Sequence, residues 1–153
     1  MKRKAIPNYS TAIAPMTTVG QIMGMLAAHG AKGLQVHMDR GQVLGVDFAL
    51  DTAYGTRAFR LPVNVEGAYR ALQAAYEERR INRAYSSREH AARVAWRIAK
   101  DWLDSQLALI EMEMATLVEV LLPYMLVEHD KTLYQRLSEG YNLLLPAPEG
   151  NDG

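Results

Sequence analysis

Tyr9, Thr11 and Ile13 alternate with smaller or polar neighbours just ahead of Pro15, a two-residue period that predicts a short edge strand. Thr18-Val19-Gly20-Gln21 has the form of a capping box, Val19, Ile22, Met23 and Leu26 recur at helical spacing, and Gly30 supplies a stop. A helix is expected over 19–29. Leu34, Val36 and Met38 then alternate with Gln35, His37 and Asp39. After Arg40-Gly41, Leu44, Val46, Phe48 and Leu50 alternate with Gly45, Asp47, Ala49 and Asp51, so the two runs form a hairpin. A second turn at Ala53-Tyr54-Gly55 leads to Arg57, Phe59 and Leu61 and ends at Pro62. Three antiparallel strands result, with one apolar face for the first and second helices to cover and one polar face.

Asn64 is a good N-cap with Glu66 in the first turn, and few breakers interrupt the chain before Tyr85, which predicts one long helix. Ser86-Ser87-Arg88-Glu89 opens a third helix running to Glu111. On its wheel Ala91, Val94, Ala95, Ile98, Trp102 and Leu109 share an apolar stripe, Arg93, Arg97, Lys100 and Asp104 lie opposite, and Trp96 falls on the flank of the basic face. Thr116 and Thr132 cap two short helices, the first ended by Pro123. Pro146, Pro148, Gly150 and Gly153 predict a loose tail over 146–153, and the apolar run from Gly140 to Leu145 is a possible partner contact. The fold class is α+β: a three- to four-stranded antiparallel sheet packed by helices, followed by a helical C-terminal half. Residues 1–153 are read as a single domain, with a β-α-β-β-β-α core over 9–85 and a helical extension over 86–140.

Composition narrows the class without naming a function. With 153 residues, 49% apolar and 22% charged, the chain can bury one core and is far from the signature of disorder. The absence of cysteine excludes disulfides, thiolate catalysis and thiolate metal sites. Met1-Lys2-Arg3-Lys4 looks like the start of a leader, but Ala5 to Pro15 lacks the apolar stretch an export signal needs. Leu117 to Val127, cut by Glu119 and Pro123, is well short of the roughly 20 residues that span a bilayer. A cytoplasmic protein without a membrane partner is expected. The formal net charge of zero is a cancellation: residues 57–100 carry ten basic and four acidic side chains, and residues 101–153 carry two and ten. That asymmetry fits either a polyanion partner or self-association.

Local chemistry is sparse. His29, His37, His90 and His129 show no metal-ligand spacing, and neither a nucleophile elbow nor a phosphate loop nor a dinucleotide fingerprint occurs. No cofactor and no metal is implied. His37 shares a sheet face with Gln35 and Asp39, near Asp47, Asp51 and Arg60, and Asp39, Asp47, Asp51 and Glu66 could assemble a metal-dependent nuclease site. Each carboxylate also has a plain role in a turn or at a helix start. Met16, Met23, Met25, Met112, Met114 and Met125 are read as core fillers. The basic stretch carries the most: Arg79, Arg83, Arg93, Arg97 and Lys100 are interleaved with Tyr76, Tyr85 and Trp96, the combination that binds single-stranded nucleic acid through phosphates and stacked bases. The residues assigned to nucleic acid are Arg79, Arg83, Arg93, Trp96, Arg97 and Lys100. Glu89/Arg93, Arg97/Asp101 and Lys100/Asp104 are also i,i+4 pairs that would simply solubilise a helix.

One helix, three antiparallel strands and a second helix share the element order of double-stranded RNA-binding domains, and the strands with their following helix resemble the core of single-strand annealing proteins. Asn64-Val65-Glu66-Gly67 is acidic where the first of these families has lysines, so its RNA function is not carried over. The stretches Phe59 to Val65, Arg93 to Trp102 and Leu121 to Met125 resemble short uncharacterised proteins of bacteriophages and mobile elements. That resemblance implies an accessory protein acting on nucleic acid or on a host protein. The reading is a non-enzymatic nucleic-acid binder, with a protein-interaction module, either a self-assembling oligomer or an inhibitor of a host factor, as the alternative.

Overall fold

The structure, a computed structural model, describes residues 4–128 and 130–140. Its elements run α1 (Pro15–Ala28), β1 (Lys32–Asp39), β2 (Gln42–Thr52), β3 (Gly55–Arg60), α2 (Val65–Glu77), a 3-10 turn (Arg83–Tyr85), α3 (Arg88–Glu111), α4 (Leu117–Leu121), a second 3-10 turn (Leu122–Tyr124), β4 (Leu126–Glu128), β5 (Lys131–Thr132) and α5 (Leu133–Glu139). The protein is α+β, with a three-stranded antiparallel sheet ordered β1-β2-β3, a small β4-β5 ladder and a helical C-terminal half. No helix among the described residues is long and apolar enough to cross a membrane. The tail and the apolar run after Gly140 lie outside the described residues.

The strands and their two turns form where the alternation places them, but near the first turn the buried residue is Val43, while Leu44 and Met38, expected on the apolar face, are exposed. Arg40 (φ 48°) and Gly41 (φ 78°) make the two-residue turn with positive φ that matches strand twist, closing on the Asp39/Gln42 pair. Phe48 faces Phe59 across β2 and β3, the rings stacked at 5.6 Å. Between the pairs His37/Gly45 and Met38/Val43 one residue of β2, Leu44, has no partner; this bulge leaves Leu44 58% exposed.

Three expectations fail for physical reasons. Residues 7–10 form a turn rather than the edge strand, with Asn8 at φ 64°, and Tyr9 packs with Ile6 on a helical cluster instead of pairing with the sheet. Helix α1 begins four residues early, because Pro15 at its first position presets φ, and Thr18 is buried within it rather than capping it. Helix α2 stops at Glu77 instead of Tyr85. Arg79 turns left-handed (φ 57°) and its N–H and that of Arg80 bond back to Tyr76 and Ala75, a Schellman ending without the usual glycine.

The core is arranged differently from expectation as well. Val46, Phe48, Leu50, Phe59 and Leu61 of the sheet pack against Val19, Ile22 and Leu26 of α1 and against Trp96, Leu103 and Leu107 of α3. It is α3, not α2, that joins α1 over the apolar face. Leu72 and Ala75 of α2 pack on the other side of α3, against Ala91 and Val94, with Ile81. Met23, Met25 and Met125 line the core as expected, whereas Met16, Met112 and Met114 are exposed.

Candidate nucleic-acid interface

The six residues assigned to nucleic acid do not form one surface. Trp96 is fully buried among α1, α3 and the sheet, and so cannot stack on a base. Its indole N–H has no hydrogen-bond partner among the described groups. The wheel misplaced it because α3 is packed on two sides, so the buried arc is far wider than one stripe; Ile98, assigned to the stripe, is 37% exposed instead. Arg93 and Arg97 do lie along one side of α3, but both are engaged. Arg93 pairs with Glu89 at 3.2 Å, and Arg97 donates to Gln21 Oε1 at 2.6 Å and to Thr18 Oγ1 at 3.5 Å, tying α3 to α1. Lys100 on the same side is partly buried.

Arg79 and Arg83 belong to the α2–α3 connection, where both are exposed and neither has an ion-pair partner among the described residues. Arg80 beside them bonds Glu78 at 2.8 Å and reaches the carbonyl of Lys4 at 3.4 Å. That contact joins the Lys4 backbone to the basic connection across 76 positions of sequence. Tyr76, in the last turn of α2, is 39% exposed beside Arg79. Tyr85 is held inside, edge-on to Tyr9 at 5.6 Å and against His90 at 5.1 Å, while the His90 ring bonds the Tyr9 carbonyl at 2.5 Å. Lys4, Arg79 and Arg83, with Tyr76, are thus exposed at or next to this connection without an ion-pair partner among the described residues, as Arg40, Arg57 and Arg70 are elsewhere, and Lys4 is the member weighed in the sequence only as part of a leader.

The polar sheet face is well connected. Asp47, nearly buried, takes Arg60 on both oxygens at 2.8 and 3.0 Å and the His37 ring at 2.7 Å. Arg60 also reaches the Asp130 carboxylate at 2.8 Å, which fastens the β4–β5 turn to the sheet. Burial pushes the Asp47 carboxyl up, but the hydrogen bonds from Arg60 and His37 and their charges outweigh it and hold the group below the usual carboxylate range. With both oxygens occupied, Asp47 is committed to this network. Asp51 is likewise taken, by Lys32 at 2.7 Å and Thr56 at 2.6 Å, and the Lys32 hydrogen bond lowers its pKa. Asp39 sits at the hairpin turn. The three aspartates of the nuclease reading thus stay apart, and among the described residues no three His, Asp or Glu side chains gather where they could hold a metal. His29 bonds the Met25 carbonyl and Glu111, and His129 lies outside the described residues.

Compared with protein-family models, curated proteins and solved structures, the chain matches none.

Proposed function

We propose that the protein binds single-stranded nucleic acid through the α2–α3 connection, with Lys4, Arg79 and Arg83 on phosphates and Tyr76 stacked on a base. The observation that carries this reading is the meeting of Lys4 with the Arg79–Arg83 segment beside an exposed ring. Cations without protein partners are free to displace the counterions of a polyanion, and a tyrosine face supplies stacking without sequence readout. Arg93 and Arg97 extend the basic surface only by exchanging their present partners, and Lys100 is partly buried beside them. A phage-type accessory role, as the resemblance implies, accommodates such binding.

The test is fluorescence anisotropy of a labelled single-stranded oligonucleotide over a range of salt. The logarithm of affinity should fall with the logarithm of salt, and each of Arg79→Ala and Arg83→Ala should reduce that slope by about 0.7. Tyr76→Ala should weaken binding by about 1–3 kcal/mol. No binding at low salt, or double-arginine variants with an unchanged slope, would refute the assignment.

A further inference from the structure

Helix α3 ends in a knob with the wrong charge for a helix C-terminus. Its last turn has no basic residue, yet Glu111 and Glu113 crowd the negative end of the helix dipole. Met112 and Met114, between and after them, are 70% and 65% exposed. Glu113 holds φ 57° in a second Schellman ending, where glycine would relieve the strain. Glu111 touches His29, and nothing else described offsets this end. Apart from the Glu111–His29 contact, none of these choices helps the isolated fold.

The other end of α3 lies about 36 Å away, at 1.5 Å per residue over its 24 residues. There a groove of about 700 Å³ opens, lined by Met16, Leu44, Val63, Val65, Arg88 and Arg93. Its size is that of a ligand or side-chain pocket. Met16 is 51% exposed, and the β2 bulge holds Leu44 outward over it. The first turns of α1, α2 and α3 all border the groove. Glu66 and Glu89 offset the positive ends of α2 and α3 and pair with Arg88 and Arg93, but α1 has neither a side-chain cap nor an acidic residue in its first turn. One uncompensated positive end therefore faces a groove with apolar walls whose charged rim, Glu66, Arg88, Glu89 and Arg93, is paired within itself, and the uncompensated negative end with two methionines sits at the far pole.

We infer that the occupant of the groove is the knob of a second copy: Met112 and Met114 enter against Met16, Leu44, Val63 and Val65, and Glu113 meets the α1 N-terminus and Arg93. Methionine suits such a contact because its flexible thioether adapts to an irregular pocket. The contact is heterologous, so copies add head to tail along the α3 direction into a ring or an open filament.

Light scattering of the nucleic-acid-free protein tests this. The wild type should exceed monomer mass, increasingly with concentration and less at high salt. Met112→Gln/Met114→Gln removes the knob, and Met16→Glu/Leu44→Asp closes the groove at exposed positions, so circular dichroism should show both folded. Each variant alone should be monomeric, and an equimolar mixture should give a one-to-one dimer and nothing larger, because only one intact knob meets one intact groove. A monomeric wild type at every concentration overturns the inference. So does association that survives both variants, or a mixture that stays monomeric while the wild type associates. Binding of an apolar carboxylate in the groove of a monomeric wild type would assign it a different ligand. Nucleic-acid binding by Arg79 and Arg83 is read separately and can fail or hold without changing these masses.

Discussion

Three helices end in the same Schellman geometry, and the residue at the left-handed position differs: Gly30 after α1, Arg79 after α2, Glu113 after α3. A side chain in that conformation costs roughly 1–2 kcal/mol, of which glycine recovers part after its own entropy loss. Retained strain of this kind is found where a residue is needed for something else. Arg79→Gly should accordingly raise stability by about 0.5–1 kcal/mol while weakening oligonucleotide binding, opposite signs that chemical denaturation and anisotropy measure together. Asp47 makes a second residue-scale case. Its folded pKa is lowered, so its contribution to stability is complete above the unfolded value and is lost as pH falls through the folded one, below about pH 4. Asp47→Asn should cost about 1.5–3 kcal/mol at pH 7 and leave a shallower decline in acid, as denaturation midpoints from pH 7 to pH 2 would show. Equal acid sensitivity in the variant would rule the group out as the source.

At the level of elements, α3 decides the arrangement. It carries Trp96, Leu103 and Leu107 toward the sheet and Ala91 and Val94 toward α2, so two apolar clusters share one helix. Trp96→Ala should cost about 3–5 kcal/mol, the range for emptying a large core side chain. Trp96→Phe, which removes an indole N–H without a partner, should cost far less and leave nucleic-acid affinity unchanged. A selective loss of binding in a stably folded Trp96→Phe protein would restore the stacking role that burial denies it. The strands, Asn64, Thr116 and Thr132 were legible because a period of two and a polar cap before an apolar run are local signals. The end of α2 was not, since a left-handed arginine carries no signal that distinguishes it from a helical one, whereas α3 ends at Glu111 as expected.

Across the whole molecule, the neutral sum conceals a basic centre and an acidic end, and folding sharpens this into particular surfaces. Lys4 reaches the α2–α3 connection through Arg80, while the acidic pair Glu111 and Glu113 is set at the opposite end of α3 from the groove beside Arg88 and Arg93. Predicting which arginines would stay open was beyond a linear reading: Arg97 is drawn to Gln21 and Arg60 to Asp47 by contacts 76 and 13 positions away in sequence. By itself the sequence determined the α+β class, the three-strand meander, the caps at Asn64, Thr116 and Thr132 and the charge asymmetry, because each follows from interactions within a few residues or across one tight turn. Only the tertiary structure decided that α3 covers the sheet, that Trp96 is core, and that the Lys4 backbone meets the α2–α3 connection at Arg80. The reason is physical: a helix with two apolar arcs can satisfy either neighbour alone, and burial of both is settled only when all the layers pack together.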